Sequence, residues 1–131
     1  MTPASRDWPA EGSSYPDDDA IDKWTAPTAS PSWVLMFVSS VAMPGDETPE
    51  ERIAKLDVDN ANFCDLDHRR AVTVGAIAAR REDGKCFGAD YIDEVALVND
   101  GRFYLVYVLS GAPLSAATEA TFERFYESLL P

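Results

Sequence analysis

The single histidine of the 131-residue chain, His68, lies in the segment Cys64-Asp65-Leu66-Asp67-His68, which collects thiol, carboxylate and imidazole groups. These groups are transition-metal ligands. Structural zinc, however, generally takes four Cys or His ligands, and the chain has only two cysteines and one histidine. We therefore predict a polar loop before a strand here, with neither a metal site nor a cofactor.

The nearby run from Asp57 to Asn62 (DVDNAN) has the oxygen-rich start of a calcium-binding EF-hand loop. Such a loop requires glycine at its sixth position and glutamate at its twelfth. Counted from Asp57, those positions hold Asn62 and His68. The pattern therefore argues against an EF-hand.

Nucleophilic catalysis requires a serine or cysteine and a base that a third group orients. His68 is the one candidate base, and no G-x-S-x-G, P-loop or G-x-G-x-x-G motif occurs. Two inward-facing carboxylates could act as acid and base, and Asp90, Asp93 and Glu94 are the best candidates. We favour the alternative that they guard an exposed strand face or edge with charge. The sequence thus predicts no enzyme.

The aromatic residues could line a ligand cavity, but they more simply form a core between a sheet and a helix. A spare apolar face of the sheet would be covered by the N-terminal segment, a second subunit or a client segment. The candidate partner-binding residues are Trp8, Trp24, Tyr91, Tyr104 and Tyr107.

Acidic residues outnumber basic residues by 23 to 11, which gives a net charge of −12. This balance argues against nucleic acid and anionic membranes as partners, because both require a basic surface. It fits either recognition of a basic partner or a well-solvated surface. The longest apolar run, 33–38, is far shorter than the ~20 residues of a membrane helix. We expect a soluble chain that carries no export signal.

Residues 1–31 are rich in proline and include the acidic run Asp17-Asp18-Asp19. Proline removes a backbone donor and makes the preceding residue extended. The pattern predicts an irregular arm over 1–31, with a helical turn near Ala20–Trp24. Residues 32–131 are predicted to form a single α+β domain.

Within this domain, residues 33–43 read as a strand. Thr48-Pro49-Glu50-Glu51 has the sequence of a helix N-terminus with a capping box, and this helix is expected to end near 57–60. Ser115 is a plausible cap for a last helix, which carries an apolar stripe over 122–130 at steps of three and four residues.

Between these helices the hydrophobic period changes to two. The pattern predicts a hairpin of 71–81 and 85–95 around Asp83-Gly84, a strong turn dipeptide. A second turn at Asn99-Asp100-Gly101 leads to a strand over Arg102–Ser110. The result is a three-stranded antiparallel meander. The core order β-α-β-β-β-α, with helices packed on an antiparallel sheet, defines an α+β fold.

On this hairpin, Cys86 lies beside the turn and Cys64 precedes the far end. About ten residues at ~3.3 Å each would separate the two by roughly 30 Å. A disulfide requires Cα atoms within ~7 Å. We therefore expect two free thiols, which favours a reducing compartment and the cytoplasm over export.

The second half of the chain carries the phrases DGRFYL at 100–105 and FERFYESLL at 122–130. With the element order, these resemble the superfamily of the photosystem II PsbP proteins, the Ran-binding Mog proteins, the LpqN-type lipoproteins and the DcrB/Eag group. The resemblance implies an α/β/α sandwich that binds proteins or hydrophobic segments without catalysis. It assigns no functional residue.

These observations predict a non-catalytic protein-binding module, a chaperone or adaptor for a secreted or membrane client. One alternative is an acidic inhibitor or immunity protein that blocks a basic toxin or enzyme. Another is a binder of small hydrophobic ligands. The expected partner is a protein that is basic or carries an exposed apolar segment, and a homodimer stays open.

Overall fold

The computed structural model describes residues 10–11, 20–25, 34–88 and 90–129. They form a seven-stranded antiparallel sheet, ordered β1-β2-β3-β7-β6-β5-β4, with two helices. The elements are β1 Ala10–Glu11, β2 Ala20–Thr25, β3 Val34–Ala42, α1 Pro49–Phe63, β4 Cys64–Val74, β5 Ile77–Cys86, β6 Asp90–Asn99, β7 Arg102–Ser110 and α2 Ala116–Glu127. The predicted α+β class is confirmed.

Both helices begin where the capping residues predict. The Thr48 side chain accepts a hydrogen bond from the Glu51 N–H at 3.1 Å, and the Glu51 carboxylate accepts one from the Thr48 N–H at 3.2 Å. The Ser115 hydroxyl accepts a hydrogen bond from the Thr118 N–H at 3.1 Å. These bonds satisfy donors that a helix start leaves unpaired. Helix α1 runs to Phe63, beyond its expected end near 57–60.

The two helices cover opposite faces of the sheet. Neighbouring residues of a strand point to opposite faces, and in β6 Val95 packs with the residues of α2 while Ala96 packs with Leu56 of α1. The α2 face holds the larger core, built by β3, β4, β6, β7 and the α2 segment. Its buried residues are Val34, Met36, Val38, Val74, Val95, Leu97, Val106, Val108, Phe122, Phe125, Tyr126 and Leu129. The sheet is thus the middle layer of three.

The predicted turn at Asp83-Gly84 is wrong. The hairpin turns at Gly75-Ala76, where Gly75 has a φ of 58°, and Asp83 and Gly84 continue β5. The meander therefore has four strands, and 64–70 belongs to β4 instead of a polar loop.

Gly84 lies where the backbone of β4 approaches β5 closely. A Cβ atom added there would lie 2.1 Å from the Asp65 carbonyl oxygen and 2.8 Å from the Leu66 Cα. This close approach lies beside the register shift between Leu66 and His68, where β4 bulges. The glycine is therefore required by strand packing.

The free-thiol prediction is also wrong. Cys64 opens β4 and Cys86 closes β5, and the two are register partners with their Cα atoms 3.9 Å apart. They form a disulfide. The error follows from the misplaced turn, since a turn at 75–76 brings both cysteines to the open end of the hairpin.

The described residues of the N-terminal segment, 10–11 and 20–25, form two strands. The expected helical turn near Ala20–Trp24 is instead strand β2, which pairs with β3 so that Trp24 lies opposite Met36. Pairing gives the backbone groups along this side of β3 their partners. Trp8 lies outside the described residues. In the described ranges, neither helix has the length and apolar character needed to cross a bilayer.

Candidate functional site

An open groove of about 540 Å³ lies between α1 and the sheet. Ile53 and Ala54 of α1 form one wall, because the helical period turns them toward the sheet and its margin. Its floor comes from small or medium side chains of β5 and β6, among them Ala78, Ala96 and Val98. Small floor residues leave room for another molecule to approach the strands closely.

One end of the groove is closed by an ion pair between α1 and β5. The Arg80 guanidinium donates to both Asp57 carboxylate oxygens, from Nη2 at 2.5 Å and from Nη1 at 3.2 Å. Such a two-pronged arrangement is geometrically specific. Arg80 Nη2 also lies 2.7 Å from Glu82 Oε1. The pair fixes the helix against the sheet and, with Glu50, supplies the charged groups of a mainly apolar groove.

Two buried carboxylates lie behind this ion pair. Glu82 of β5 and Glu94 of β6 are register partners, so they point to the same face of the sheet. Their exposed fractions are 4% and 2%. Glu94 accepts a hydrogen bond from the Asn60 amide of α1 at 2.6 Å, while Glu82 lies 3.2 Å from the Arg69 guanidinium. The cluster therefore joins α1 to three strands.

Burial acts strongly on the Glu94 carboxylate. Burial, together with the nearby Glu82 carboxylate, raises the pKa of Glu94 to about 7, although the bond from Asn60 works in the opposite direction. Desolvation disfavours a charge, and a like charge adds to that penalty. Glu94 is therefore about half-protonated at pH 7. Glu82, its register partner, lies near the guanidinium groups of Arg69 and Arg80.

A second ionic cluster anchors α2 on the opposite face. Arg81 of β5 is 1% exposed and donates to Asp93 of β6, from Nη2 at 2.6 Å and from Nε at 2.9 Å. Its Nη1 reaches Glu123 at 3.0 Å and the Tyr126 hydroxyl at 3.1 Å. Burial acts against the Arg81 charge, but the bonds to Asp93 outweigh it, so the pKa of Arg81 is raised.

The predicted setting of the carboxylates needs correction. Asp93 and Glu94 do not guard an exposed strand face, because both are buried; Asp90 is half-buried. As neighbours on β6, Asp93 and Glu94 point to opposite faces, so they do not form a pair with each other. The partner of Glu94 is Glu82, which the misplaced turn had assigned to a hairpin tip. The run Arg80-Arg81-Glu82-Asp83 places charges on both faces of β5, so alternation carried no signal for this pairing.

His68 lies in β4 with its side chain 70% exposed. Its Nδ1 is 3.2 Å from Asp67 and 3.4 Å from Asp83. The part of the chain that the structure describes contains no cluster of His, Cys, Asp and Glu suited to a metal ion.

The predicted partner-binding aromatics do not share one surface. Tyr104 packs against the core of the α2 face, whereas Tyr107 points to the opposite face and stacks on Phe37 with ring centroids 4.9 Å apart. Tyr91 is half-buried, and the Lys85 ammonium lies 5.1 Å from its ring centroid. Trp24 is placed by register alone. The structure brings together none of the three tyrosines, and their binding role stays a prediction.

Comparison with known proteins supports the fold alone. No family model and no curated protein matches this chain. The chain is similar to the crystal structure of PA94, a Pseudomonas aeruginosa protein of unknown function, with a TM-score of 0.64 over 90% of this chain and 86% of that one. The two sequences are 18% identical.

Proposed function

We propose that this chain is a non-catalytic protein-binding module, a chaperone or adaptor that holds an apolar segment of a secreted or membrane client. The observation that carries the proposal is the open groove between α1 and the sheet. Its walls and floor are mainly aliphatic, with Ile53, Ala96 and Val98 among them. Covering such a surface contributes about 25 cal/mol per Å² of apolar area removed from water.

A binding role fits the contacts that the polar side chains beside the groove make with one another. Asp57 and Arg80 bind each other, and Glu94 is bonded to Asn60. Each of these contacts joins α1 to the sheet. They support a rigid groove that is formed before a client arrives, and rigid sites lose less conformational entropy on binding.

The net charge of −12 supports a client that is basic beside its apolar segment, and it argues against nucleic acid. The disulfide removes the argument for a reducing compartment. Structural disulfides persist mainly in oxidising compartments, so the bridge supports a site of action outside the reducing cytosol. The resemblance to the PsbP, Mog, LpqN and DcrB/Eag superfamily stays a prediction.

The groove can be tested by site-specific cross-linking. A benzophenone amino acid placed at Ala78, on the groove floor, should give one discrete adduct with a partner protein in the native host. The matched control is the same amino acid at Ala117, an exposed alanine on α2. Mass spectrometry of the adduct would identify the cross-linked segment, which should be apolar.

Two results would contradict the proposal. Equal adducts from positions 78 and 117 would mean that the groove has no preference. Repeated absence of any adduct at position 78, in cells where the folded protein is present, would mean that the groove has no client. An adduct between two copies of this chain would also contradict the proposal, because it would show that a second copy of the chain occupies the groove.

A further inference from the structure

An exposed pair of aromatic rings lies beside the disulfide. Phe63 ends α1 and Phe87 follows β5, and these residues are 59% and 69% exposed. Their ring centroids lie 5.7 Å apart with a 41° tilt. Neither residue lines the groove described above. The two rings, here called the aromatic pair, therefore form a second apolar surface that the proposed function does not use.

The aromatic pair is held rigidly. The Phe87 N–H donates to the Phe63 carbonyl oxygen at 2.7 Å, so the two backbones are joined directly. The adjacent residues Cys64 and Cys86 are covalently bridged. A surface fixed in this way loses little conformational freedom when a partner binds. Its position is thus determined by the fold before binding.

The backbone of Phe87 is unusual for its residue type. Its φ of 54° lies in the left-handed region, where glycine is comfortable and a bulky side chain is an outlier. The ring is mostly exposed, so it gains little from folding in return. Strained positions of this kind concentrate where a protein binds or reacts. The left-handed φ itself belongs to the turn after β5, where Gly88 has a φ of 76°, so it is the choice of an exposed phenylalanine at this position that favours a binding role.

Carboxylates flank the aromatic pair. Asp59 lies four residues before Phe63 on α1, which places the two side chains on the same side of the helix. Asp65 follows Phe63 by two residues, and both aspartates are exposed. Lys85 is the register partner of Asp65, with its ammonium over the Tyr91 ring, so the two aspartates and this lysine together carry a net charge of −1. The surface thus combines aromatic faces with negative charge.

An arginine side chain matches this combination. Its planar guanidinium stacks on aromatic rings and forms two-pronged bonds with carboxylates. We infer that the aromatic pair binds an arginine of a protein partner. The guanidinium would stack on the outer faces of the rings, with the flanking aspartates on its other side. The inference concerns a surface outside the groove and does not depend on the proposed client.

The test uses a blocked hexapeptide of alternating leucine and arginine, titrated into the ¹⁵N-labelled full chain. Amide shifts should concentrate at 58–66 and 85–90 and weaken as salt is added. Phe87→Gly should weaken binding by about tenfold, the size of a cation–π contact of about 1.4 kcal/mol. Its thermal midpoint should stay at or above that of the wild type, because glycine suits the left-handed φ.

Phe63→Ala provides a second variant that leaves Phe87 in place, and it should also weaken binding. The matched control is Val58→Ala, which shortens another apolar side chain of α1, 67% exposed, and should bind as the wild type does. Unchanged binding in both phenylalanine variants would overturn the inference. So would equal binding of a peptide with glutamate in place of arginine. A large fall in the midpoint of Phe87→Gly would assign Phe87 to folding instead.

Discussion

Replacing Glu94 with glutamine should stabilise the protein above neutral pH. Glu94 is 2% exposed, and burial raises its pKa from an ordinary value of 4.5 to about 7. The folded state therefore binds this proton more tightly than the unfolded state does. Between these two pH values the folded chain keeps a proton that the unfolded chain has released, so the free energy of unfolding falls as pH rises.

The magnitude follows from the same two values. A difference of one pH unit in pKa corresponds to about 1.4 kcal/mol, so ionised Glu94 costs about 3 kcal/mol of stability above pH 7. Below pH 4.5 the cost is absent. Glutamine has nearly the same shape, keeps an oxygen for the Asn60 amide and carries no charge.

The assay is urea denaturation followed by far-UV circular dichroism at pH 5, 6, 7 and 8. Glu94→Gln should unfold at a higher urea midpoint than the wild type at pH 8. Its free energy of unfolding should be higher by up to about 3 kcal/mol there, and this difference should shrink toward pH 5. Glu127→Gln, at an exposed glutamate of α2, is the matched control and should follow the wild type. A difference that is constant with pH, or that grows as pH falls, would refute the reasoning.

Two further substitutions and reduction of the disulfide test the rest of the structure. Gly84→Ala should destabilise the protein by about 2 kcal/mol or more, since overpacking forces the backbone to move, whereas Gly45→Ala, where a Cβ meets nothing within 4 Å, should not. Reduction of the Cys64–Cys86 bridge should lower the free energy of unfolding by about 3 kcal/mol; an unchanged urea midpoint with dithiothreitol would contradict this. Arg81→Met should cost about 3–5 kcal/mol, because it leaves a buried carboxylate unpaired, and a cost below 1 kcal/mol would show that the ion pair is dispensable.

Elements whose signals lie within a few residues could be predicted. Thr48 and Glu51 specify the start of α1 by bonding to each other's backbone. Ser115 specifies the start of α2 in the same way. Asp100-Gly101 makes the last turn with φ values of 50° and 72°, as its dipeptide requires. In each case the chemistry that decides the structure is adjacent in sequence.

The candidate site was harder to predict because its residues come from separate elements. Asn60, Glu82 and Glu94 meet only after α1 has folded onto β5 and β6. The sequence marked Glu94 as a candidate only together with Asp90 and Asp93 of the same strand, and Asp93 points to the other face of the sheet. The groove depends on the same packing, since α1 supplies one of its walls.

The sequence alone was enough to predict the two helix starts, the strands β3, β6 and β7 and the acidic balance, because capping, hydrophobic period and charge act locally or in sum. The position of the turn in the β4–β5 hairpin depends on the tertiary structure. A period of two fits a turn at 75–76 as well as one at 83–84. The choice rests on long-range contacts: the close approach of Gly84 to Asp65 and the burial of Arg81 against Asp93. That choice also joins Cys64 to Cys86.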